Sequence, residues 1–119
     1  MRYMMMVYQP EVWHELTDEE KAESYAVFEA FHNELGPRIQ FAERLHASVT
    51  ATTVKIREGK LLTTDGPFAE SKEQMGGIYI FDCEDLDEAI EIAAKIPTAK
   101  SGTIEIRPIF EPEPEMSNE

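Results

Sequence analysis

Gly76-Gly77-Ile78-Tyr79-Ile80-Phe81-Asp82-Cys83-Glu84-Asp85-Leu86-Asp87-Glu88-Ala89-Ile90 is the stretch that decides the fold. Two glycines lead into an apolar run, Ile78 to Phe81, of β-branched and aromatic residues, which predicts a strand. The period then changes. Asp85 and Glu88 have the spacing of a helix N-cap and its N3 partner, and Leu86, Ala89, Ile90, Ala93 and Ala94 recur as one inward helical face. Pro97 ends that helix. Thr103-Ile104-Glu105-Ile106-Arg107 alternates as a closing strand. Strand, helix and strand in this order form one half of a split βαβ domain.

The other half lies toward the N-terminus. Residues 2 to 8 are aromatic, Met or Val almost throughout, as in a strand covered on both faces, and Gln9-Pro10-Glu11 breaks it. Thr17-Asp18-Glu19-Glu20 is a capping box, and its carboxylates complement the helix dipole. Ala22, Tyr25, Ala26, Phe28 and Leu35 suit the inward face of the helix that follows, and Gly36-Pro37 stops it. Residues 38 to 48 read equally as a further helical turn or as a packed loop. From Thr52 to Arg57 the chain alternates, Glu58-Gly59 makes a two-residue turn, and Lys60 to Thr64 returns, which predicts a hairpin. Ala69 to Met75 is a polar connection. The order is strand, helix, hairpin, strand, helix, strand. With one hairpin strand set aside it is βαββαβ, an α+β ferredoxin-like antiparallel sheet with two helices on one face. The apolar strands outnumber the faces two helices can cover, so pairing of open sheet faces in a homodimer is expected.

Composition narrows the function. The 119 residues suffice for one domain and one core, and the 42% hydrophobic share is that of a globular chain. Eleven basic against 24 acidic residues leave a net charge of −13, which repels phosphate backbones and anionic lipid surfaces. No nucleic-acid or membrane partner is therefore expected. The apolar N-terminus is too short for a signal peptide and lacks a small-residue cleavage site, so a cytoplasmic location is expected. The lone Cys83 excludes an internal disulfide or a CxxC motif and reads as a packing residue. The domain is expected to span 1–109, with an acidic Pro/Glu-rich flexible tail at 110–119.

The segment Thr64-Asp65-Gly66-Pro67-Phe68-Ala69-Glu70-Ser71-Lys72-Glu73-Gln74-Met75-Gly76-Gly77 carries the most specific signal. It resembles the YCII-related family, in the branch named for its Asp-Gly-Pro-Phe tetrad. The likeness continues through Asp85-Leu86-Asp87-Glu88-Ala89 and Ile104-Glu105-Ile106-Arg107-Pro108, and so covers most of residues 50 to 109. The resemblance implies a ferredoxin-like domain in a dimeric α+β barrel. It also implies one of two settings: an enzyme with a His–Asp pair in a cleft, or a protein found beside sigma factors. On this chain the pair corresponds to His32, on the first helix, and Asp65, in the tetrad.

Each of these residues has a plainer reading. Asp65-Gly66-Pro67 is also a strand-stopping turn, with the carboxylate accepting backbone N–H groups. Phe68 either anchors its loop in the core or stacks on a ligand. Gly77 marks a bulge or a close backbone approach, without a phosphate-loop pattern. Lys72 is either a surface ion-pair member or an anchor for an anionic group. His14, His32 and His46 have no metal-ligand spacing; His32, Asp65 and Glu70 could approach a divalent ion, but nothing demands one. Two functions follow. In the first, a small-molecule enzyme without an organic cofactor uses Asp65 as a general base or as the orienter of His32. Phe68, Glu70, Lys72 and Gly77 would help bind the substrate, with Tyr79 donating to developing charge. In the second, the domain is a non-catalytic module that binds a ligand or a protein partner, such as a sigma factor.

Overall fold

The computed structural model describes residues 1–112; the end of the expected tail, 113–119, lies outside the described residues. Strand β1 (Arg2–Pro10) runs antiparallel to β5 (Glu73–Asp82) on one side and to β6 (Thr103–Pro108) on the other. Strand β2 (Ile39–Arg44) pairs with the far side of β5, so the sheet order is β2-β5-β1-β6. With helix α1 (Asp18–Leu35) after β1 and helix α2 (Leu86–Lys95) after β5, this is the expected ferredoxin-like arrangement. Strands β3 (Thr52–Arg57) and β4 (Lys60–Asp65) pair only with each other, in a separate two-stranded sheet.

Residue alternation explains which face carries the helices. Tyr3, Met5 and Val7 of β1 point one way and meet Tyr79 and Phe81 of β5. Phe31 and Leu35 of α1 and Ala89, Ile92 and Ala93 of α2 close over them, with Cys83 and Ile96. Met5, Phe81 and Ile96 are sealed from solvent. Ile104 and Ile106 pack against this core from β6 and Ile39 from β2. The opposite face carries Met4, Ile78 and Ile80, which are half-buried, and the exposed Phe41. Cys83 is the packing residue expected, and burial pushes its thiol pKa up.

Both helix starts follow their local chemistry. The Thr17 hydroxyl accepts from the N–H of Glu20, and the Glu20 carboxylate accepts from the N–H of Thr17. Asp85 accepts from the N–H of Glu88 at 2.9 Å. The Glu88 carboxylate turns instead to the N–H of Glu84 and to the Arg38 guanidinium. At the end of α1, Gly36 stays right-handed, with φ −49°, and passes the chain into a 3-10 turn at Gly36–Arg38.

Four expectations need correction. The ambiguous segment 38 to 48 contains β2 itself. A bulge between Ile39 and Phe41 breaks the two-residue period, so Ile39 and Ala42 face the helices while Phe41 faces away. Both hairpin strands therefore stand outside the main sheet, where only one was set aside. The inward face of α1 is also rotated: Phe31 and Leu35 enter the core, whereas Ala22, Tyr25 and Ala26 are exposed and Phe28 is half-buried. On α2, Ile92 is buried while Leu86, Ile90 and Ala94 are exposed.

Candidate functional site

Helix α1 presents Ser24, Phe28 and His32 at four-residue spacing, which stacks them on one face. That face borders the end of the sheet where β5 carries Gly77 and Tyr79. His32 Nε2 lies 3.1 Å from the Tyr79 hydroxyl in a hydrogen bond between helix and sheet. Phe31 holds both rings edge-on, with centroids 5.5 Å from Tyr79 and 5.4 Å from His32. Burial raises the Tyr79 phenol above its usual pKa, so it stays protonated at neutral pH.

A hollow of about 710 Å³ opens beside this pair, lined among others by Val7, Trp13, Phe28, His32, Arg44 and Tyr79. Its floor is a row across three strands, Val7–Gly77–Arg44. Gly77 leaves that row without a side chain, and a Cβ there would come within 2.8 Å of the Glu43 carbonyl oxygen. At the mouth, Trp13 is bracketed by Lys21 Nζ and the Arg44 guanidinium, each 5.7 Å from its ring centroid. Tyr25 meets the same indole edge-on at 5.3 Å. Glu29 and Glu43 add carboxylates to the lining. A second hollow of about 490 Å³ shares Trp13 and Arg44 and is lined by His14 and His46. No group of three or more His, Cys, Asp or Glu side chains among the described residues is placed to hold a metal ion.

Of the residues singled out in sequence, the structure brings together His32, Gly77 and Tyr79. Asp65, Phe68, Glu70 and Lys72 line neither hollow of their own chain. Asp65 ends β4 opposite Thr52. The bend after it is closed by the Gly66 N–H donating to Ala51 O, and by the Thr53 hydroxyl donating to Gly66 O, both at 2.8 Å. The Asp65 carboxylate makes no hydrogen bond among the described residues, so it does not cap that turn. Gly66 has φ +103°, which only glycine adopts without strain. Phe68 is 79% exposed and lies under Lys55 Nζ, 5.2 Å from its ring centroid. It neither anchors the core nor enters the hollow. Glu70 and Lys72 are exposed in the link between β4 and β5.

Sequence reading missed Trp13 and Arg44. Trp13 precedes α1 in a 3-10 turn, and Arg44 ends the strand whose period the bulge obscured. The Ser24–Phe28–His32 stripe was legible in principle as a mixed polar and aromatic face.

A split-βαβ sheet with a helix-to-strand His–Tyr pair beside a lined hollow defines a small α+β domain with a candidate ligand site. This chain belongs to the YCII-related domain family, whose profile matches residues 1–113. It is 32% identical over 115 residues to an uncharacterised protein of Rhizobium meliloti, covering 92% of each chain. Among solved structures it is similar to the 5-chloro-2-hydroxyhydroquinone dehydrochlorinase (TftG) from Burkholderia phenoliruptrix AC1100, in complex with 2,5-dihydroxybenzoquinone. That match has a TM-score of 0.55 and 14% sequence identity, over 94% of this chain and 96% of the other, and it shows the fold alone. No helix among the described residues is long and apolar enough to cross a membrane.

Proposed function

We propose that the hollow beside His32 and Tyr79 is a small-molecule site, and that this pair moves a proton on a bound ring-bearing ligand. The carrying observation is the 3.1 Å contact between His32 Nε2 and the Tyr79 hydroxyl at the cavity wall. In one tautomer Tyr79 donates to Nε2; in the other Nε2–H donates to the phenol oxygen, freeing the phenol proton for the ligand and Nδ1 as an acceptor. Either arrangement couples a base to a donor that stays protonated at neutral pH, as acid–base chemistry next to a carbonyl or an enol requires. Phe28, Trp13 and Tyr25 supply flat apolar surface for a ring, and Arg44 a cation for a polar substituent.

This reading gives the proton step to His32 and Tyr79 rather than to Asp65, whose carboxylate stands on the hairpin. The non-catalytic alternative uses the same hollow, with binding and no turnover. A sigma-factor partner, which the family resemblance raised, has no particular support in the geometry. Pairing of the open sheet face, Met4, Ile78, Ile80 and Phe41, in a homodimer would cover apolar surface on the side away from the hollow.

The test uses 2,5-dihydroxybenzoquinone, the molecule bound by the structural relative, as its probe. Titration calorimetry should show saturable binding weakened roughly tenfold by Tyr79→Phe or His32→Ala and unchanged by Asp65→Asn. Absorbance of the bound probe reports its ionisation, and proton exchange into deuterated solvent reports turnover. Binding without exchange selects the module. Indifference to both His32→Ala and Tyr79→Phe removes the site.

A further inference from the structure

The two hollows share Gln9, Trp13, Arg44 and Gly76, so they are two ends of one cleft. The ends differ in chemistry. The larger holds the His32–Tyr79 pair, Phe28 and two carboxylates, Glu29 and Glu43. The smaller holds His14 and His46, and its one lining carboxylate is Glu11. Both Glu11 oxygens are already engaged, accepting from the Ser48 N–H at 2.6 Å and from the Ser48 hydroxyl.

The junction is built by a β-bulge. Val7 stands opposite Gly77 and Tyr8 opposite Met75, which leaves Gly76 as the extra residue of β5. A Cβ on Gly76 would come within 2.9 Å of Gln9 Nε2, so the missing side chain is what lets the Gln9 amide lie there. The nearby Gln74 amide is committed, its Nε2 donating to Ala69 O and Ser71 O. The Gln9 amide has no partner among the described residues.

Arg44 stands at the same junction. In a chain with 24 acidic residues it enters none of the salt bridges among the described residues. It lies over the Trp13 ring instead, 5.7 Å from the centroid. A guanidinium over an indole face keeps its N–H edge free, in a fork that matches an oxyanion. The permanent charges lining the smaller hollow are therefore one cation, Arg44, and one anion, Glu11. That balance suits a single negative charge better than a phosphate monoester, which carries about −1.5 to −2 at neutral pH. Glu29 and Glu43 disfavour an anion at the other end and so orient the ligand.

We propose that the smaller hollow is a carboxylate subsite, and that the cleft takes a ring-bearing monocarboxylic acid. This rests on the larger hollow as the seat of the ring. Arg44 and the Gln9 amide hold the carboxylate, with the His14 and His46 imidazoles as further donors. Arg44 stands opposite Gly77, two residues along β5 from Tyr79, a step of about 7 Å. The ligand thus carries its reacting group and its carboxylate at opposite ends of one ring.

The test compares 4-hydroxybenzoate with 4-hydroxybenzamide, a neutral probe of the same shape, by titration calorimetry on the full chain. Wild type is expected to bind the acid about tenfold more tightly than the amide. Arg44→Met should abolish that preference and leave the amide's affinity unchanged. Gln9→Glu, nearly isosteric, should reverse the preference by placing a like charge at the junction, and circular dichroism checks the fold of both variants. Tyr79→Phe should weaken both probes equally. If it weakens neither while the Arg44 effect holds, the proton pair falls and the carboxylate subsite stands. No saturable binding of the acid, equal binding of acid and amide, or a preference unmoved by both Arg44→Met and Gln9→Glu overturns the proposal. Tighter binding of 4-hydroxyphenyl phosphate than of 4-hydroxybenzoate overturns it in favour of a phosphate.

Discussion

Removing the Tyr79 hydroxyl tests the core of the site with little collateral change. Tyr79→Phe keeps the ring packed between Phe31 and Phe81, whose centroids lie 5.5 and 6.1 Å away, and deletes only the contact with His32. A neutral hydrogen bond contributes about 1 ± 0.5 kcal/mol net. Here the lower half of that range applies. His32 is exposed and its bond to Tyr79 only part-buried, so water can take over its nitrogen, and the hollow admits water to Tyr79 when His32 is removed. His32→Ala costs more than the bond, because the imidazole also packs on Phe28 and Phe31. A double-mutant cycle separates the two contributions. The coupling between Tyr79→Phe and His32→Ala is expected at about 0.5–1 kcal/mol, or roughly 2–4 °C in Tm for a domain of this size. The assay is urea unfolding of the four proteins at one protein concentration, because any self-association shifts apparent stability. Additivity within about 0.3 kcal/mol would mean that the two side chains do not meet in solution, and the proton-transfer reading would fall with them.

Phe81→Ala, at a site with no solvent exposure, should cost about 3–5 kcal/mol, a large part of the stability of a small domain, in denaturant melts. Gly102→Ala places a Cβ 2.1 Å from the Tyr8 carbonyl oxygen, where only backbone movement can relieve it. It should cost about 1–3 kcal/mol by the same measurement. Burial raises both Cys83 and Tyr79, so the unfolded chain loses these protons first as pH climbs past the ordinary values of 9.0 and 10.0. Their contribution is full below about pH 9 and is lost as pH rises through the folded values; Cys83→Ala should flatten the first part of that decline. The Glu88 carboxyl is held below its usual 4.5, first by the Arg38 guanidinium and then by the N–H of Glu84. Arg38→Met should move its NMR titration back toward 4.5.

What the sequence showed plainly was local chemistry. The Thr17–Glu20 box, the Asp85 cap and the Glu58-Gly59 turn all depend on residues within a few positions of one another. The turn carries φ +51° and +75°, as a tight hairpin requires. What stayed hidden depended on distant partners. The strand at Ile39–Arg44 escaped because one bulged residue shifts its apolar positions out of phase, and only pairing with β5 restores the pattern. The rotation of α1 was equally invisible, since Tyr25 and Phe31 are both aromatic and only the sheet chooses between them. The site divided along the same line. Tyr79 and Gly77 belong to a strand that was legible, and His32 to a helix that was. Arg44 and Trp13 sit on elements whose positions follow from tertiary packing. The Asp-Gly-Pro-Phe tetrad drew attention to the bend after β4, where Gly66 has a conformation few residues can adopt.

The two roots of the hairpin arm meet before the arm begins. Leu45 N–H donates to Gly76 O at 2.9 Å, and Arg44 already stands opposite Gly77 in the sheet. Everything between those rungs hangs from a closed gate, with Glu11 of the preceding loop accepting from the backbone N–H of Ser48 at 2.6 Å as its latch. Insertions and deletions within the arm thus leave the sheet register and the core untouched. The arm can therefore lengthen or shorten without shifting the rungs at its base. Differences in length among relatives would be expected to concentrate there, while the helix-facing residues of β1 and β5, packed in the core, tolerate far less change.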